Sequence, residues 1–145
     1  LKLSITVGFI SLIFYPFPLC LQIIGSDGGF YCFNLIVSGE RKSWEEALES
    51  CRQSHTSLTT LTSEAELLLA KTAIQQDHIT DRLWIGLRFL GNRWMWMSRE
   101  PLFYQAWPEA SQDHQCPATG RCGALNKQGL WENWDCQDKL NFICS

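Results

Sequence analysis

The spacing of the cysteines near the carboxyl end constrains this chain more than any other feature. Cys122 and Cys136 bracket a turn-rich segment that holds Trp131, Glu132, Asn133, Trp134 and Asp135, and Cys144 stands one residue before the end. Cysteines so placed read as a disulfide framework in an exported domain, because reducing compartments keep thiols unpaired. The oxygen-bearing side chains inside the bracket then decide whether the domain can hold a cation.

The cysteine count is seven, an odd number. Cys20 lies in an apolar stretch from Leu3 to Ile24, with Lys2 ahead of it and Gly25-Ser26-Asp27 behind. That layout over residues 1–25 predicts a removable export signal. A membrane anchor is the second reading, since roughly 20 apolar residues span a bilayer. Pro16 and Pro18 weaken it, because proline costs about 3 kcal/mol inside a helix. A segment foreign to the natural protein is a third. Removing the signal would take Cys20 with it and leave an even set for bridges. The remaining chain is expected to be secreted or to stand on the outer cell surface, alone or as a piece of a longer receptor.

The length suits one domain with a core of its own, and an apolar fraction of 46% argues against disorder. Phosphate binding needs clustered cations. The net charge is −3, and no basic run exceeds Arg41-Lys42, so nucleic acid is excluded as a partner.

Along the chain, Phe30 to Val37 is aromatic and β-branched and predicts a strand. Ser43-Trp44-Glu45-Glu46 is a capping box, and Trp44, Ala47, Leu48 and Cys51 follow on one helical face. A second box at Ser63–Glu66 opens a helix expected to end near Asp77. The period then changes. Leu83 to Leu87 and Trp94 to Met97 read as strands around a Gly91-Asn92 turn, and Tyr104 to Trp107 as a third. Pro108 to Arg121 is polar and aperiodic, a long loop of the kind that carries function. Strands return at Cys122 to Leu125 and Leu140 to Cys144.

This order of elements resembles the C-type lectin-like domain, an α+β fold with two helices on small antiparallel sheets, a long loop and disulfide staples. Trp84-Ile85-Gly86-Leu87 resembles that family's core motif. Ala124-Leu125 and the Trp131 to Cys136 run resemble its tryptophan motif, and Phe142-Ile143-Cys144 its last strand. The resemblance covers residues 29–145. It implies the bridges Cys51–Cys144 and Cys122–Cys136. Cys32 and Cys116 stay unassigned, and Cys116 competes with Cys122 for Cys136.

The resemblance also raises calcium, which sugar-binding members hold in the long loop with a Glu-Pro-Asn or Gln-Pro-Asp tripeptide and an Asn-Asp pair after the tryptophan. Here Trp107 is followed by Pro108-Glu109-Ala110, and Trp131 by Glu132-Asn133. The motif is degraded, and no cofactor is assigned, although calcium stays open. The ligand-loop candidates are Trp107, Glu109, Asp113, Glu132, Asn133, Trp134 and Asp135. The carboxylates and the amide read most simply as solvated loop residues. Trp107 and Trp134 read either as exposed platforms or as packing beneath the loop.

Asp113-His114 is the only pair that hints at catalysis. A catalytic histidine needs an orienting partner and a nucleophile or metal in reach, and neither His55 nor His78 has ligand spacing to it. No enzymatic activity is expected. The expected function is recognition through the long loop: a glycan by resemblance, or a protein without calcium. A tether to a membrane through the N-terminal segment is the remaining partner expectation.

Overall fold

The computed structural model describes the main chain of residues 3–7, 10–14, 19–23 and 30–33, and main chain and side chains of residues 34–145. The first group forms four antiparallel strands in sequence order: β1 (Leu3–Val7), β2 (Ile10–Phe14), β3 (Leu19–Ile23) and β4 (Phe30–Phe33). Their register sets Cys20 opposite Cys32. The export or anchor segment expected over residues 1–25 otherwise lies outside the described residues. No helix among the described residues is long and apolar enough to cross a membrane.

The strand expected from Phe30 to Val37 is interrupted at Asn34-Leu35 and resumes as β5 (Ile36–Val37). Helix α1 (Trp44–Gln53) begins where the capping box predicts, with the Ser43 hydroxyl accepting from the Glu46 N–H and donating to the Glu46 carboxylate at 3.0 Å. Helix α2 (Glu64–Ala73) is capped by the Ser63 hydroxyl, which accepts from the Glu66 N–H at 3.2 Å, and stops at Ile74, short of the expected end. Its Glu66 carboxylate reaches back to the N–H and hydroxyl of Thr62.

Strands β6 (Arg82–Leu90), β7 (Arg93–Trp96), β8 (Arg121–Asn126), β9 (Trp131–Asp135) and β10 (Asn141–Cys144) complete the fold. The main sheet runs β5-β10-β6-β8-β9, with β7 also paired to β6. The sheet is mixed, because β10 lies parallel to β6. Tyr104 to Trp107, expected as a strand, forms none. Its one ladder-like bond is from the Trp131 N–H to the Ala106 carbonyl, at 2.9 Å, and a single bond does not make a strand.

Both faces of the sheet are covered, which explains why β6 reads as an unbroken apolar run. Successive side chains of a strand face opposite ways. Leu83, Ile85 and Leu87 pack with α2 residues Leu69 and Ala70, with Trp96, Leu125 and Trp131, and with Ile143. Trp84 packs with Trp44, Ala47 and Cys51 of α1, and with Phe142. The indole N–H of Trp44 bonds the Ile85 carbonyl, and that of Trp84 bonds the Lys42 carbonyl, each at 2.9 Å. Gly86 is a point of close approach between main chains. A Cβ there would stand 2.7 Å from the Leu58 carbonyl oxygen.

Two bridges staple the α1 side. Cys51–Cys144 has its Cα atoms 5.6 Å apart and closes a separation of 93 residues, and Cys122–Cys136 joins β8 to the end of β9. Cys116 is exposed and carries no bridge, so the partner of Cys136 is Cys122.

Replacing Cys51 and Cys144 together by Ala should lower the unfolding free energy by about 4–5 kcal/mol, against about 3 kcal/mol for the shorter Cys122–Cys136 loop. Urea titration of the two double variants checks the order. Gly86→Ala should cost about 1–3 kcal/mol through overpacking, read as a lower thermal midpoint with the native disulfides retained.

Candidate functional site

Of the ligand-loop candidates, Trp107, Asp113, Glu132, Asn133 and Trp134 line one cleft at the β9 edge of the main sheet, and Glu109 and Asp135 do not. Strand β9 is the outermost strand, and the loop from Ala106 to Cys116 stands opposite its outer edge. A cleft of about 310 Å³ separates the two. Trp107, Pro108, Ser111, Asp113 and His114 form one wall, and Trp131 to Trp134 the other.

The loop is held by aromatic contacts. The Trp107 ring lies 5.0 Å from Trp94 and 5.5 Å, edge-on, from Trp131. The His114 imidazole stacks on Trp107 at 4.4 Å with the rings 4° from parallel. The Trp94 indole N–H donates to the His114 carbonyl at 2.6 Å. Trp107 therefore packs beneath the loop and is half-buried rather than an exposed platform. Offset and edge-on aromatic pairs of this kind contribute about 0.5–1.5 kcal/mol each beyond their buried area. Nearby, Tyr104 sits edge-on to Trp131 at 6.1 Å. Burial first, and the Glu64 carboxylate second, raise the pKa of its phenol above the ordinary value.

On β9 the candidates divide between the two faces of the strand. Glu132 points to the α1 side. Its Oε2 accepts from Arg82 Nε at 2.6 Å, and its Oε1 from Asn126 Nδ2 at 2.9 Å. The same guanidinium lies over the Trp134 ring, 4.0 Å from its centroid. Trp134 is thereby half-buried under a cation. Asn133 points to the other side. Its Oδ1 accepts from the Arg121 N–H at 2.6 Å, and its Nδ2 donates to the Thr119 carbonyl at 3.0 Å. Gly120, with φ +84°, lets the chain pass close enough for this, since a Cβ there would fall 2.7 Å from Asn133 Oδ1.

Glu109 and Asp113 are exposed on the loop, and neither joins an ion pair among the described residues. The Asp135 carboxylate accepts from the Gln137 N–H at 3.0 Å and shapes the turn after β9. Both carboxylate oxygens of Glu132 and the side-chain oxygen of Asn133 are thus committed to protein donors. Among the described residues, no group of three His, Cys, Asp or Glu side chains is arranged to hold a metal ion.

The residues that sequence reasoning missed are Arg82, Asn126 and Arg121. Arg82 is fifty positions before Glu132, so no local pattern links them. The one available signal is parity along β6: Arg82 precedes Trp84 by two and shares its face.

The sequence model of the family described as Lectin C-type domain matches residues 40–145. Human C-type mannose receptor 2 is 27% identical over 116 residues, which is 72% of this chain and 8% of the receptor. Human lymphocyte antigen 75 is 24% identical over 117 residues, 79% of this chain and 7% of that protein. The chain thus spans less than a tenth of the length of these relatives. Among solved structures, a mouse scavenger receptor C-type lectin carbohydrate-recognition domain superposes with a TM-score of 0.67 at 25% identity, covering 78% of this chain and 85% of that one.

Arg82→Met should destabilise the domain by about 1–2 kcal/mol, between the values for exposed and buried ion pairs. The loss should shrink in the Glu132→Gln background. A double-mutant cycle on urea midpoints measures that coupling.

Proposed function

Because the chain belongs to the C-type lectin domain family, we propose that it is an extracellular recognition module that works without calcium and meets a protein ligand through the cleft between the long loop and β9. The observation that carries this reading is the Arg82–Glu132 ion pair at 2.6 Å. A calcium ion needs 6–8 oxygen ligands at about 2.3–2.6 Å. The carboxylate of the residue after Trp131 already serves a guanidinium and an amide, and the next residue serves the chain at Thr119 and Arg121. A cation would have to displace Arg82 and strand its charge against the Trp134 ring. These commitments support a reading without calcium.

The remaining surface suits contact with a partner. Interface centres favour aromatic side chains with a few placed polar groups. The cleft offers Trp107 and Trp134 with Ser111, Asp113 and His114. The two disulfides belong with an oxidising compartment, which supports a secreted or cell-surface location.

A glycan is the second reading, favoured by the likeness to the mouse scavenger receptor C-type lectin carbohydrate-recognition domain.

Thermal unfolding separates these readings from a calcium lectin. A ligand of the native state at roughly 100 times its Kd adds about 2.7 kcal/mol. The expected result is one midpoint in millimolar calcium and in chelator; a higher midpoint in calcium overturns the proposal. Binding to a glycan array in chelator would move the assignment to the second reading.

A further inference from the structure

We propose that the outer edge of β9 receives an extended segment of a protein partner, rich in Lys or Arg at alternate positions, which adds a strand to the main sheet. This rests on the protein-ligand reading above and specifies how that ligand is held.

The main chain of β9 is the starting point. The Trp131 N–H donates away from β8, to Ala106. In an antiparallel pair, alternate residues turn their N–H and C=O groups to opposite sides. Glu132 and Trp134 therefore bond Ala124 and Cys122 of β8, and Trp131, Asn133 and Asp135 face outward. The Asp135 carbonyl is taken by the Asp138 N–H. That leaves the Trp131 carbonyl, the Asn133 N–H and carbonyl, and the Asp135 N–H. None of these has a hydrogen-bond partner among the described residues.

Native folds blunt such edges with covering loops, bulges or prolines, because an open edge pairs with any strand. Here the loop pairs at Ala106 and then swings away, leaving the cleft between itself and the open stretch of edge. The cleft therefore runs along the unpaired groups. Strand addition uses such groups for affinity and reads every second side chain for specificity.

Charge selects the occupant. Asp113 lines the loop wall and Asp135 is exposed at the end of the strand, and neither enters an ion pair among the described residues. Glu132 is balanced by Arg82. Arg121 stands opposite Asp135 in the β8–β9 register and directs its Nε to the Pro117 carbonyl. Asp113 is thus the carboxylate lining the groove without an ion pair among the described residues, and it favours a basic segment.

The test uses the full chain and two arrays of immobilised decapeptides. One carries Lys or Arg at alternate positions with Thr, Val or Tyr between them, and the other carries Glu in place of the cations. Binding to the basic array and not the acidic one is expected. The best basic peptide is then remade with N-methyl amides on one alternate set or the other. Methylation of the set facing β9 should weaken binding by about tenfold or more, and methylation of the opposite set should not. Hydrogen exchange should slow at Asn133 and Asp135 on binding. Asp135→Pro, which removes one outward N–H and is tolerated on an edge, should weaken binding more than Asp135→Asn does.

Equal effects of the two methylated sets, or peptide binding without slowed exchange at Asn133, overturn strand addition while leaving a protein ligand in place. A glycan array that binds when no peptide does overturns both. Self-association that protects the same two amides assigns the edge to a second copy and overturns the hetero-partner.

Discussion

The Cys51–Cys144 bridge is the constraint on which the remainder of the main domain depends. It fixes the end of α1 to β10, and the main chain reinforces it on both sides. Ser57 and Ser145 exchange N–H to carbonyl bonds at 3.1 and 2.9 Å, and the Thr59 N–H reaches the Ile143 carbonyl at 2.9 Å. Strand β10 thereby becomes a platform between β5 and β6. With β10 in place, β6 is enclosed laterally, and its two apolar faces find α2 on one side and α1 on the other. The loop above can be irregular because the layers below it do not rely on it for closure.

Much of this was legible in the sequence, for identifiable reasons. Capping boxes are local, so Ser43 and Ser63 mark the helix starts correctly. The apolar run Leu83 to Leu87 carries its double burial in its composition. The pairing of Cys122 rather than Cys116 with Cys136 came only from family resemblance, since both lie within easy reach of that thiol in sequence. Tyr104 to Trp107 has the residue types of a strand, but its aromatic side chains are drawn into the core beside Trp131 and Trp94, and tertiary packing overrides β-propensity. Strand β9 was concealed for the opposite reason. Glu132, Asn133 and Asp135 are poor strand formers, and the ladder to β8 together with the Trp131 anchor holds them extended.

The site was legible in membership and not in wiring. Glu132 and Asn133 stand out as a departure from a metal-binding pair. The partner of Glu132 is a side chain from a different strand. An arginine on β6 brings a fixed positive charge to the Glu132 carboxylate and lays its flat face on Trp134. A contact between residues fifty positions apart requires the three-dimensional neighbourhood to be seen.

The indoles have a consequence of their own. Trp96, Trp131, Trp107 and Trp94 form a continuous chain of rings, with successive centroids 5.2, 5.5 and 5.0 Å apart, and His114 stacks on Trp107 within it. At such separations the electronic transitions of neighbouring chromophores mix. The resulting near-ultraviolet dichroism belongs to the row as a whole, so the loop is optically wired to the interior and any displacement of its tip is broadcast in the spectrum without a label.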